Sequence, residues 1–176
     1  MYAIIENNAV AKAGDLFTLS SGVFIRPEGS AYEAWALTNN VVEVIEGEQK
    51  DQRFYWVAFD SYQVNGSVVT RTYTNTPKVL EDVTETPQGA TEPVTTAGLK
   101  SQWIAQGKVT ANSQLAATDW MVIRKAERNV DIPANVVAER AKIIADCTAK
   151  EAAILAATTV EGLIAVVAPV STATPE

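Results

Sequence analysis

The chain predicts an α+β protein: a small N-terminal antiparallel β-sheet of hairpins, followed by a C-terminal helical unit of three to four helices. Three observations carry this. Asn-containing dipeptides interrupt β-branched and aromatic runs over residues 1–83, as turns interrupt strands. A Thr/Pro/Gly-rich stretch without apolar periodicity, TETPQGATEPVTT, fills 84–96 and reads as a linker. Beyond it, residues 97–168 are Ala-rich with apolar residues at helical spacing.

Taken in order, MYAIIENNAVAK places a turn at Asn7-Asn8 and sets Ile5 opposite Val10. LFTLSSGVFIRPEGS reads as a further strand pair or an extended loop around Ser21-Gly22. In EAWALTNNVVEVIEG, a turn at Asn39-Asn40 brings Leu37 opposite Val42 and Trp35 opposite Val44. The strongest hairpin signal is Asn65-Gly66, a dipeptide suited to a type I′ turn. Centred there, it pairs Val64 with Ser67, Tyr62 with Val69 and Asp60 with Arg71, and sends Val57, Phe59 and Val68 to the core.

In the helical half, GLKSQWIAQGK puts Leu99, Trp103 and Ile104 on one face, with Gly107 as the expected stop. A second helix starts from Ser113 or Thr118 as N-cap, with Trp120 at its opening, and carries Leu115, Met121, Val122 and Ile123. Pro133 suits the first turn of the next helix. There Val137, Ala141, Ile144, Thr148 and Leu155 form an apolar stripe flanked by Ile143, Cys147 and Ile154, a face broad enough for packing or self-association. Thr159 caps a last helix that carries Leu163, Ile164, Val166 and Val167, and 169–176 read as a flexible tail.

With 176 residues, the chain has length for one unit of ordinary size or two small ones. It contains no His, which removes the usual general base and the commonest metal ligand. One Cys excludes an internal disulfide framework. The glycines are too far apart for a dinucleotide fingerprint or a P-loop. Glu46 with Glu48, and Glu81 with Asp82, are the available carboxylate pairs, and solvated charge at strand ends is the expected reading of both. No enzyme, cofactor or metal is expected. A net charge of −7 without a basic cluster argues against nucleic acid, and no apolar run or leader points to a membrane. The aromatics Phe54, Tyr55, Trp56, Phe59, Tyr62 and Tyr73 are expected in core packing or a protein interface, with a sugar-binding face as the alternative. Cys147 is either a small buried hydrophobe or the site of an intermolecular disulfide.

The stretch GLKSQWIAQGKVTANSQLAATDWMVIRKAERNVDIPANVVAERAKIIADCTAKEAAI resembles the C-terminal region shared by tailed-bacteriophage tail-fibre assembly proteins and related virion proteins. Leu115, Thr118-Asp119-Trp120, Arg124, Glu127, Ile132-Pro133 and Arg140 carry the likeness, which spans about 53–168. Where many such proteins have an aromatic just before the matched arginine, this chain has Glu139. The resemblance implies two short helices docked through Trp120, with Arg124 and Arg140 reaching Glu127 or Asp119. It also implies a non-enzymatic protein that binds a tail-fibre or baseplate component. Such a protein acts in the host cytoplasm during assembly, as a chaperone of the fibre, or stays in the virion tail as an adaptor. Asp119, Trp120, Arg124, Glu127, Arg140, Ile143, Cys147 and Ile154 are then the partner-binding or helix-docking candidates. A capsid, neck or decoration protein and a carbohydrate-binding β module are the alternatives.

Overall fold

Asn7 and Asn8 both take positive φ, 51° and 61°, and so close the expected two-residue turn between β1 (Tyr2–Glu6) and β2 (Ala9–Gly14). Asn tolerates this left-handed region better than other side chains do. Ile5 pairs with Val10, and a register shift between Ile4 and Ile5 bends the ladder. These features come from a computed structural model, which describes residues 1–14, 17–18, 24–25, 36 and 39–168. The fold is α+β, and the chain divides into two units, Met1–Thr76 and Pro77–Glu176. The boundary thus falls before the Thr/Pro/Gly-rich stretch, which belongs with the helices.

In the first unit, β3 (Phe17–Thr18) and β4 (Phe24–Ile25) pair antiparallel, the strand pair of the two readings this stretch allowed; Ser21-Gly22 lies outside the described residues. The main sheet adds β5 (Val41–Glu46), β6 (Tyr55–Asn65) and β7 (Val68–Pro77), in the order β2-β1-β5-β7-β6. It is mixed rather than purely antiparallel, because β5 runs parallel to β7, with Val44 beside Val69 and Glu46 beside Arg71. Trp35 and Leu37 lie outside the described residues. Cα atoms of the two edge strands, β2 and β6, approach within 8 Å, so the sheet curls around Ala3, Val44 and Val69.

The β6–β7 hairpin forms, but its turn is Gly66-Ser67 instead of Asn65-Gly66. Gly66 alone has positive φ, the pattern of a type II′ turn with glycine first. One step of displacement changes every pair: the Ser61 and Thr72 hydroxyls meet at 2.9 Å, and Arg71 turns to Glu46 rather than Asp60. The core face carries Tyr62, Val64 and Val69, while Phe59 and Val68 are exposed. This reverses the expected core face at Phe59 and Val68, and the Phe59 ring lies under the Arg71 guanidinium at 5.1 Å.

In the second unit, the expected linker contains a two-stranded antiparallel hairpin, β8 (Val83–Glu85) with β9 (Val94–Thr96). Thr84 and Thr95 share a 2.8 Å hydroxyl contact across it. Threonine is β-branched but adds little apolar area, so the strands leave no hydrophobic trace. Three helices follow: α1 (Leu99–Arg128), α2 (Ala134–Ala156) and α3 (Val160–Val167).

Helix α1 is continuous for 30 residues, through Gly107, Ser113, Thr118 and Trp120. The expected break, the two caps and the second helix start are therefore all corrected. One glycine costs a helix only about 1 kcal/mol, and the Ala-rich neighbours outweigh it. The Thr118 hydroxyl bonds the Leu115 carbonyl at 3.1 Å, a mid-helix pattern and not a cap. Asn129, with φ 53°, ends α1 by donating its N–H to the Lys125 carbonyl. Pro133 sits at the N-cap of α2, one residue ahead of the expected position, and its carbonyl accepts from Val136 and Val137. Thr159 caps α3 as expected, accepting from the Gly162 N–H at 3.0 Å. Residues 169–176 lie outside the described residues.

Candidate partner-binding site

Four of the residues that carry the resemblance, Leu115, Thr118, Asp119 and Arg140, meet where α1 packs on α2. Arg140 donates one guanidinium nitrogen to the Leu115 carbonyl at 2.8 Å and to the Thr118 hydroxyl at 2.6 Å. Its other terminal nitrogen pairs with Asp119 at 2.9 Å. The planar fork spans backbone, hydroxyl and carboxylate together, which a lysine ammonium does not reproduce. The expected reach of Arg140 to Asp119 is present. Arg124 behaves differently: its guanidinium lies 4.8 Å above the Trp120 ring, and its Nε is buried with no hydrogen-bond partner. Glu127 is exposed and pairs with neither arginine.

Helix α2 meets α1 along Val136, Arg140, Ile143, Cys147, Glu151 and Ile154, of which Ile154 is fully buried. The flank of the expected stripe is therefore the seam, and Val137, Ile144 and Leu155 are about half exposed. The polar members explain the inversion. Arg140 and Glu151 make the seam look amphipathic in sequence, yet Arg140 is satisfied by α1 and Glu151 by Lys108 at 3.0 Å. Cys147 is half-buried and free, within the seam.

The opposite end of the hairpin is fixed by residues that sequence reasoning passed over. Lys100 is almost buried, with its ammonium 2.5 Å from Glu81 and 3.0 Å from the Leu155 carbonyl. That carbonyl belongs to the last turn of α2, where acceptors lack helical partners and the helix dipole is negative. Gly98 packs so closely on the 80–81 backbone that an added Cβ would lie 2.3 Å from the Glu81 oxygen. Its N–H donates to Asp82 at 2.8 Å, and this bond, with one from Ser101, holds the Asp82 carboxyl below its usual range. The Glu81–Asp82 pair thus serves helix docking. Glu46 likewise takes the Tyr73 hydroxyl and Arg71, while only the Glu48 carbonyl is bonded, to Asn75, so those two carboxylates do not converge.

A groove of about 610 Å³ runs along one side of the α1–α2 seam, between Trp103, Gln114, Ile143, Cys147 and Ile154. Its α2 rim alternates in charge: Glu139, Lys142, Asp146 and Lys150. The Asp146 carboxylate, hydrogen-bonded to Lys142, raises the lysine pKa above its ordinary value. Ile143, Cys147 and Ile154 of the candidate set line this groove, Asp119 and Arg140 lock the seam above it, and Trp120 with Arg124 forms a separate stack. Trp120 is exposed and docks no second helix.

Comparison with protein-family models, curated proteins and solved structures returns no match. The site therefore stands on its geometry. Among the described residues, no group of three or more His, Cys, Asp or Glu is placed to hold a metal ion. No described helix is long and apolar enough to cross a membrane. The arrangement is that of a surface: a rigid helical hairpin with a half-apolar groove and a rim of alternating charge.

Proposed function

We propose that this chain is a non-enzymatic bacteriophage tail protein whose helical unit binds a tail-fibre or baseplate component, either during fibre assembly or as a lasting adaptor. One observation carries the reading. Leu115, Thr118, Asp119 and Arg140, all part of the resemblance to tail-fibre assembly proteins, form a single bonded cluster. The shared pattern is thus a coherent set of constraints on one helical hairpin, and scattered identities are a poorer account of it.

The groove suits an amphipathic helix of the partner, which would lay apolar residues on Ile143, Cys147 and Ile154 and pair its charges with the rim. Lys142 and Lys150 favour acidic positions on that helix, and Glu139 and Asp146 favour basic ones. Co-expression of the full chain with the cognate tail-fibre protein tests the reading. Co-purification is expected, weakened at least tenfold by Lys142→Glu with Lys150→Glu while helicity is unchanged. A chain that captures neither fibre nor baseplate protein, and is absent from purified particles, contradicts it.

A further inference from the structure

We propose that the face of the hairpin opposite the groove is a self-association surface, where two copies of this chain close a four-helix bundle. On α1, Ala105, Val109, Asn112, Ala116, Trp120 and Ile123 follow one another at steps of 4, 3, 4, 4 and 3 residues. On α2, Val137, Ala141, Ile144, Thr148, Ala152 and Leu155 repeat the same steps. Each is a single stripe at the helical period of about 3.6 residues. The large members, Val109, Trp120, Ile123, Val137, Ile144 and Leu155, are all about half exposed or more.

The two stripes share one side of the molecule. Asn112 of the first and Ile144 and Thr148 of the second line the same shallow cavity of about 210 Å³. A helical hairpin with two such seams on one side is half of a four-helix bundle, lacking the second hairpin. An identical copy supplies it. None of these residues is charged, although the chain carries −7 overall. The six charged residues of α2 are accounted for elsewhere: Arg140 and Glu151 in the seam, Glu139, Lys142, Asp146 and Lys150 on the groove rim. Of the charges flanking the stripes, Lys108 pairs with Glu151, Asp119 pairs with Arg140, and the Arg124 guanidinium lies on the Trp120 ring, so copies meeting here oppose mostly neutralised charge.

Size agrees. From Val137 to Leu155 the stripe runs about 27 Å along α2. Across two helices this gives roughly 500–800 Å² per copy, close to what each partner of a standard dimer contributes.

Light scattering on the full chain at about 50 µM, well above a micromolar Kd, tests this. The expected mass is twice 18.9 kDa. Ile144→Glu and, separately, Ala141→Glu should each weaken dimerisation at least tenfold with circular dichroism unchanged. Lys142→Glu with Lys150→Glu, on the groove, should leave the dimer intact, which keeps this proposal separate from the binding function. A monomeric wild type overturns the proposal, as does a dimer that persists in both Glu variants. Loss of tail-fibre capture on Ile144→Glu in a monomeric chain would assign the face to that partner and also overturn it.

Discussion

Arg140, near the start of the second long helix, donates 2.8 Å to the main-chain carbonyl of Leu115 in the middle of the first. A helix carbonyl already bonded within its own helix thereby gains a charged donor from its neighbour, and the two helices are held in one register. Arg140→Ala removes this bond together with those to Thr118 and Asp119. It should lower stability by about 2–4 kcal/mol in denaturant unfolding. Asp119→Asn should cost at most about 1 kcal/mol, because Asp119 is half exposed.

Two glycines of α1's region should respond in opposite directions. Gly98→Ala forces a Cβ against the backbone oxygens of Leu80 and Glu81, and should destabilise by about 1–3 kcal/mol. Gly107→Ala meets nothing within 4 Å and should stabilise the helix by about 0.5–1 kcal/mol. Thermal unfolding of the two variants distinguishes them by sign alone.

The buried and open stripes of α2 give a second contrast. Ile154→Ala should cost about 2–5 kcal/mol, as for a filled core site. Ile144→Ala, on the exposed stripe, should change the stability of the monomer by no more than about 0.5 kcal/mol. Similar losses at both positions, measured in denaturant at low protein concentration, would mean that the seam is misassigned.

Asp82 links folding to pH. Its carboxyl is held below the ordinary value of about 3.9 by the Gly98 N–H and by Ser101. A lowered folded-state pKa gives stability that is present above the unfolded value and lost as pH falls through the folded one. Wild type should therefore lose thermal stability below about pH 4 more steeply than Asp82→Asn, whose amide does not titrate. Parallel melting curves for the two proteins between neutral and acid pH would contradict this.

Much of the fold was legible because local signals were strong. Asn7-Asn8 and the Thr159 cap act through backbone geometry that no tertiary contact needs to supply. The misread places are those where a tertiary contact decides. Gly107 looked like a stop because propensity ignores a helix packed along its length. Arg140 and Glu151 disguised the seam because their partners, Leu115, Thr118 and Lys108, lie 25, 22 and 43 residues away in the chain. Lys100 gave no signal at all, since burial of its ammonium depends on a carbonyl at Leu155. At the hairpin of β6 and β7, moving the turn by one residue shifts each partner by two and keeps the faces, so what was misread is which face is core: Tyr62, Val64 and Val69 pack inward while Phe59 and Val68 are exposed.

Hydrogen exchange on the full chain, with and without the cognate tail-fibre protein, tests the partner-binding reading most directly. The account predicts slowed exchange in both groove walls, around Trp103–Leu115 and Glu139–Ile154, with the strands of the first unit unchanged. Protection confined to β6 and β7, or exchange that the fibre protein leaves unaltered throughout the helices, would contradict it.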